Sequence, residues 1–235
     1  MSQPLELLNN KSLAFPPLTT ALSEPNGLLA FGGDLTVARI CSAYKHGVFP
    51  WYSQGDPIMW WSPDPRAIIT TSSLKINRTL KKVLKQKNFR ISLNKAFDEV
   101  IELCADAPFR NEDTWIVPEM IDAYKQLHCQ GYAHSIEVWQ NDQLVGGLYG
   151  VAINGYFSGE SMFYKVSNAS KIALVSLAQH LQSIDVHLID CQLLNPFLED
   201  MGCTEVPRAK FIEQQQQHLS KIIPHNFWHP TELIL

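Results

Sequence analysis

Three groups of side chains carry the chemistry available to this sequence. The first is Glu160, set in "FSGESMF" among Phe157, Met162 and Phe163, just after the turn signal Asn154-Gly155. A carboxylate buried without a partner costs several kcal/mol, so Glu160 requires either a protein cation or a ligand. The second group is Asp190 and Gln192 in "LIDCQ". Alternate positions of a strand place a carboxylate and an amide on one face. The third is cationic: in "NRTLKKVLKQK", Asn77 can cap a helix that buries Leu80, Val83 and Leu84. Arg78, Lys81, Lys82 and Lys85 then share its outer face, where like charges repel unless an anion lies against them.

The elements that must position these groups can be read in order. "FPPLTTALSEPNGLLAFGGDL" is punctuated by Pro, Asn and Gly and reads as loops. Asp34 is expected to cap a helix carrying Val37, Ile40, Cys41 and Tyr44, with Gly47 ending it. "FPWYSQGDPIMWWSPDPR" reads as loop with a short strand, and a domain boundary is expected near Pro65, dividing residues 1–65 from 66–235. Then follow a strand ("RAIITT"), the basic helix, a strand ("FRISL"), a helix starting from Asn94, and a helix opened by Pro118 and closed by Gly131. "HSIEVWQ", "LVGGLYGVAI" and "YFSGESMF" read as consecutive antiparallel strands joined by "ND" and "NG". A helix ("ASKIALVSLAQHL"), a strand ("HLIDCQ") and a short helix ("NPFLEDMGC") complete the pattern. The fold class is therefore α+β: a small N-terminal domain and a C-terminal domain with a mixed central sheet in strand–hairpin–helix–strand order, an acetyltransferase-like pattern.

Composition narrows the function classes. With 46% apolar and 18% charged residues, the chain is that of an ordered globular protein. No apolar run is long enough to cross a bilayer, and "MSQPLELLNNKS" lacks the basic and apolar regions of a secretory signal, so a cytoplasmic protein is expected. Five widely spaced cysteines without a CxxC pair argue against a disulfide framework and against zinc. The net charge is −4, yet no acidic residue lies between Asp64 and Asp98, a window holding nine of the nineteen Lys and Arg side chains. That asymmetry points to a polyanion, with phosphate as the contacting group; a solvated helix face is the plain alternative.

Familiar catalytic motifs are missing. There is no GxGxxG, Walker sequence, HExxH or GxSxG, and the paired histidines of "HNFWH" have no supporting carboxylate. The junction before the long helix reads "FYKVSNASK" rather than a glycine-rich pyrophosphate turn, which argues against acetyl-coenzyme A as substrate.

Eight stretches in register narrow the choice: "EPNGLLAFGGDL", "GVFPWYSQGDPIMWWSPDPR", "TWI", "HSIEVW", "LVGGLYGV", "GESMF", "NASKIAL" and "IDCQ". Together, from about Phe15 to Trp228, they resemble the bacterial leucyl/phenylalanyl-tRNA–protein transferases. The resemblance implies transfer of Leu or Phe, with Met as a further donor, from aminoacyl-tRNA to a protein with N-terminal Arg or Lys, marking that protein for degradation. It implies a monomer with no cofactor, no metal and no membrane partner. It also implies a donor side-chain pocket lined by Trp51, Trp115, Leu148, Phe157 and Met162, with Leu174 and Leu177 behind. Arg78, Lys81, Lys82 and Lys85 would meet the tRNA. Two positions depart from the family pattern: Phe197 stands where His is expected and Tyr164 where Ser is usual. A role for the family's histidine therefore does not carry over, and the tyrosine is expected to change packing. Two readings stay beside this one: a coenzyme A-dependent N-acetyltransferase, and a non-catalytic tRNA-binding protein.

Aminoacyl transfer suits the residues present. An N-terminal α-amine, with a pKa of about 8, is partly neutral near pH 7. Its attack on an activated ester needs positioning and carbonyl polarisation more than a strong base. The expected catalytic residues are Asp190, Gln192 and Glu160. Asp190 would accept from the amine or orient Gln192. The Gln192 amide would accept from the amine or donate to the carbonyl. Glu160 would hold the donor's ammonium or ribose, or the cationic acceptor.

Overall fold

The loop-rich beginning of the chain builds a sheet of its own. In the computed structural model, which describes residues 5–86, 88–106 and 115–234, the elements run β1 (Glu6–Leu8), β2 (Leu28–Gly32), α1 (Val37–Lys45), β3 (Phe49–Pro50) and β4 (Met59–Trp61). These strands form a four-stranded sheet in the order β1-β2-β4-β3. The tryptophans of "MWW" fix it: Trp60 is fully buried and donates from Nε1 to Gly32 O at 2.9 Å, while Trp61 donates to Trp51 O at 2.7 Å. The cap of α1 differs from expectation. Thr36 is the N-cap, accepting from Arg39 N, and Asp34 instead holds the Thr36 hydroxyl at 2.6 Å.

The remainder supplies β5 (Arg66–Thr70), α2 (Arg78–Lys85), β6 (Arg90–Leu93), α3 (Phe97–Ala105), α4 (Pro118–Cys129), β7 (Ala133–Gln140), β8 (Gln143–Ile153) and β9 (Tyr156–Tyr164). After them come α5 (Ala169–Gln182), β10 (Leu188–Gln192), α6 (Pro196–Asp200), β11 (Thr204–Val206), α7 (Arg208–Leu219) and β12 (Thr231–Leu233). Eight strands form one mixed sheet, β11-β5-β10-β9-β8-β7-β6-β12, as the α+β reading required. Only β9 and β10 pair in parallel within it, because α5 carries the chain back across the sheet between them. Asn141 and Asp142 take positive φ, the conformation that a two-residue hairpin between β7 and β8 demands.

Capping follows the sequence at α2, where Asn77 Oδ1 accepts from Leu80 N at 2.8 Å, and at α4, where Pro118 occupies the first turn. It departs at α3. Asn94 does not cap that helix; its side chain ties His134, Ser135 and Trp228 O together. The N–H groups ahead of α3 are met by the buried Glu137 carboxylate, at 3.3 Å from Lys95 N and 3.4 Å from Ala96 N. Ser92 and Ser135 donate to the same carboxylate. Acceptors contributed from 41 residues away are invisible to a local reading.

The parallel pair opens the site. β9 and β10 pair at two positions only, Phe157 with Ile189 and Ser158 with Asp190, and then part. β8 shifts register between Tyr149 and Gly150, and a Cβ at Gly150 would lie 2.2 Å from Ser158 O. Only glycine lets β9 approach so closely at the point where the gap begins. One buried ion pair closes the sheet behind that gap. Arg66 donates from Nε and Nη2 to the two oxygens of Asp190 at 2.8 and 2.7 Å, and both side chains are fully buried. Removing one partner of such a pair costs about 3–5 kcal/mol. Arg66→Met, which leaves Asp190 charged and uncompensated, is therefore expected to lower the unfolding free energy read from urea denaturation by an amount of that order, with a correspondingly lower midpoint. An unchanged midpoint would show that the pair does not hold the sheet.

Candidate active site

A cavity of about 490 Å³ fills the space where β9 and β10 separate. α5 presents Ser170, Leu174 and Leu177 to it, spaced four and three apart and thus on one helical face. Leu148 and Met162 come from the adjacent strands β8 and β9. Trp51 and Trp115 complete the aromatic lining, and Trp51, 39% exposed, stands edge-on to Trp61 with ring centroids 5.4 Å apart. The structure thus brings together six of the seven pocket residues expected from the sequence. Phe157 is the exception. It is buried in the core, paired with Ala152 and Ile189, and its ring stacks with Trp228 at 5.8 Å rather than lining the cavity.

The polar groups meet at Ser158 and Glu160. Gln192 lines the cavity and donates from Nε2 to Glu160 Oε1 at 2.9 Å and to Ser158 Oγ at 3.3 Å. Tyr124 donates its hydroxyl to Glu160 Oε2 at 3.1 Å, and the Tyr44 and Tyr124 hydroxyls lie 2.6 Å apart. The question raised by the sequence has a definite answer: among the described residues Glu160 has no cation partner. Neutral donors hold it. Burial pushes its carboxyl up to about 7; hydrogen bonds from the two tyrosines oppose that rise, and the charge on Asp190 adds to it. Burial first, then the charge of Glu160, raises both tyrosine pKa values well above the ordinary range, so both remain protonated donors.

Asp190 and Gln192 do not share the open face that simple alternation suggests. The register shifts between them, and Gln192 takes φ 63°. Gln192 reaches the cavity, whereas Asp190 is fully buried. Besides Arg66, Asp190 accepts from Tyr156 at 2.5 Å, and its Oδ1 accepts the Gln192 backbone N–H at 2.9 Å. Burial works against the Arg66 guanidinium, but the Asp190 charge and hydrogen bonds hold its pKa above the usual value. No acceptor amine can reach Asp190 directly in this arrangement.

The basic face is as read. Arg78, Lys81, Lys82 and Lys85 are all exposed on α2, with Leu80 buried beneath. Three other cations of the acid-free window are engaged elsewhere: Arg66 with Asp190, and Arg90 and Lys95 with Glu232. Lys87 lies outside the described residues. Of the two positions that depart from the family pattern, Phe197 lines the cavity, and so does Tyr164. Sequence reading missed Arg66, Tyr44, Tyr124 and Trp61. Arg66 was hidden in a run of surface cations, and the other three in apolar patterns that say nothing about a hydroxyl or indole N–H.

An apolar cleft between splayed parallel strands, headed by a carboxylate and an amide and with no nucleophile–base pair in it among the described residues, suits an acyltransferase. The family models agree. The leucyl/phenylalanyl-tRNA protein transferase model matches residues 68–216, and that family's N-terminal domain model matches residues 33–64. The chain is 59% identical to the leucyl/phenylalanyl-tRNA–protein transferase of Colwellia psychrerythraea, covering 99% of both chains. It is 50% identical to that of Pectobacterium carotovorum, covering 96% of both, and 49% identical to that of Shigella dysenteriae, covering 95% of this chain and 94% of the relative. Among solved structures, L-PGS from Bacillus licheniformis aligns with a TM-score of 0.41 at 10% identity. That alignment covers 87% of this chain and 65% of the other. A GCN5-related N-acetyltransferase from Kribbella flavida aligns with a TM-score of 0.36 at 11% identity, covering 70% and 59%. The chain belongs to the leucyl/phenylalanyl-tRNA–protein transferase family, and it is an aminoacyltransferase acting on aminoacyl-tRNA and protein substrates.

The proton affinity of Glu160 makes a prediction about stability. Its folded pKa, about 7, lies above the ordinary carboxylate value of 4.5. Between these values the unfolded chain binds fewer protons at this site, so its contribution to stability falls as pH rises through that window. Glu160→Gln removes the dependence. In thermal unfolding, the variant should gain on the wild type from about pH 4.5 to about 7.5 and then run parallel to it. A difference independent of pH would mean that Glu160 is ionised throughout.

Proposed function

We propose that this chain transfers Leu or Phe from the 3′ end of aminoacyl-tRNA to the α-amine of a protein beginning with Arg or Lys. It acts as a cytoplasmic monomer, with domains meeting at Pro65: residues 1–65 contribute Trp51 and Tyr44, and residues 66–235 contribute Ser158, Glu160 and Gln192. The observation that carries this reading is the cavity itself. Its wall of Leu148, Met162, Leu174 and Leu177 accepts an unbranched or γ-branched side chain, and Gln192 and Glu160 adjoin that wall. Met162, flexible and polarisable, adapts to both Leu and Phe. Trp51 and Trp115 offer a stacking surface to the terminal adenine, an interaction worth about 1–3 kcal/mol per base.

In this mechanism Glu160 takes the proton that the acceptor ammonium must lose, its own affinity near 7 lying close to that of the amine. The free amine then attacks the ester carbonyl carbon. A C–N bond forms, the ester C–O bond breaks, and the ribose oxygen leaves with the second proton of the attacking nitrogen. Gln192 holds amine and carbonyl in register. Asp190 is a positioning residue: through the Gln192 backbone N–H it fixes the bend that aims the amide, while Arg66 and Tyr156 fix Asp190.

The direct test is incubation with Leu-tRNA and a peptide starting with Arg, read by mass spectrometry. The expected product is heavier by one leucyl residue, while the same peptide starting with Gly stays unchanged. Absence of product overturns the reading. The basic face of α2 makes a separate prediction. Gln substitution at Arg78, Lys81, Lys82 or Lys85 should raise KM for whole tRNA. The log–log salt slope should flatten by about 0.7–0.9 for each phosphate left unneutralised. An equal rise in KM for an aminoacyl-adenosine donor would show that the helix supports the fold rather than the RNA.

A further inference from the structure

The helix α5 buries two serines among eight apolar residues. Ser176 satisfies itself by donating to Ile172 O at 2.8 Å. Ser170 does not: it is 4% exposed, lines the cavity, and makes no side-chain hydrogen bond among the described residues. A hydroxyl that lines a cavity and has no protein partner is free to meet a ligand there. Three further features lie close by. Ser170 lies in the first turn of α5, whose N-terminus has no side-chain cap and carries the positive end of the helix dipole. The next residue, Lys171, forms no ion pair among the described residues, and its ammonium lies 5.6 Å from the ring centroid of Phe197, which itself lines the cavity. The basic helix α2 packs against α5, and Lys75 N, just before α2, donates to Met201 O at the end of α6, the helix bearing Phe197.

Hydroxyl, ammonium and uncapped helix N-terminus together make a receptor for a tetrahedral anion. We propose that Ser170 and Lys171 bind the phosphate of the donor's 3′-terminal nucleotide, in a subsite joining the side-chain pocket to the basic face of α2. This rests on the transferase reading and deepens it. The phosphate locks the terminal nucleotide at a second point, so that the ester carbonyl is presented to Gln192 in one orientation. An aromatic stack alone leaves rotation about the ring normal free; a phosphate held beyond it removes that freedom. Phe197 supplies a flat face over which the Lys171 ammonium is held without neutralisation.

The test compares ligands differing only by that phosphate. Quenching of tryptophan fluorescence is titrated with adenosine and with adenosine 5′-monophosphate. In parallel, kcat/KM is measured for phenylalanyl-adenosine and for its 5′-phosphate. In the wild type the phosphate should improve both binding and kcat/KM by about tenfold, the scale of one charge-assisted hydrogen bond. Lys171→Met and Ser170→Ala should each remove most of that advantage, and Lys171→Arg should retain it. Thermal melting checks that the variants are folded. No phosphate advantage in the wild type, or one unaltered in both variants, overturns the proposal. Transfer from neither donor would overturn the transferase reading; the nucleotide titration then still decides the phosphate subsite by itself.

Discussion

The buried pair between Arg66 and Asp190 is the constraint on which the rest of the site depends. Two desolvated charges are tolerable only with close geometry and every remaining lone pair and proton occupied. Here Arg66 makes a two-point contact to Asp190, donates to Gly47 O, and stacks between the rings of Phe49 and Phe211 at 4.8 and 4.6 Å. Tyr156 and the Gln192 N–H complete the shell around Asp190. The cluster therefore joins the turn after α1, strands β3, β5, β9 and β10, and helix α7. A pair of well-packed apolar residues could fill the same volume, but it would fix neither the bend at Gln192 nor the approach of the N-terminal sheet.

That bend explains how one strand serves two purposes. Up to Asp190, β10 is an ordinary member of the sheet, paired on both sides. Beyond it the register slips, β9 moves away, and the groups released from pairing turn to the cavity. Glu160 sits at the same transition, held by the hydroxyls of Tyr124 and Ser158 and the amide of Gln192 rather than by a cation. Neutral donors leave the proton affinity of a carboxylate free to be set by burial. A salt bridge would have pulled it down and made Glu160 a permanent anion. With the carboxyl near 7, the group is neither fully protonated nor fully ionised at neutral pH.

The surface charges divide in a similar way. A window of sequence rich in cations contributes one charge to the buried cluster and two to pairs with Glu232, while the face of α2 remains unpaired among the described residues. Proximity along the chain says nothing about these separate fates. Burial does, because a strand position and an exposed helix position impose opposite costs on the same side chain.

Much of the architecture was determined locally. Caps at Asn77 and Pro118, the turn at Asn141-Asp142, the alternation of β7 to β9 and the apolar face of α5 are short-range patterns, and each appears where the sequence places it. The pocket walls were legible for a different reason: the family resemblance, not periodicity, implied Trp51, Leu174 and Leu177 as lining, and all three face the cavity. Tertiary structure alone decided what is non-local. Glu137 accepts the N–H groups ahead of α3 from another strand, Phe157 turns into the core, and Asp190 is claimed by an arginine 124 residues away. Tyr44 and Tyr124, 80 residues apart, become the donors to a single carboxylate site. Periodicity reports which face of an element is buried, but not which polar atom waits on the other side of the interface. That pairing is set by how sheets and helices close on one another, and it determined the chemistry of this site.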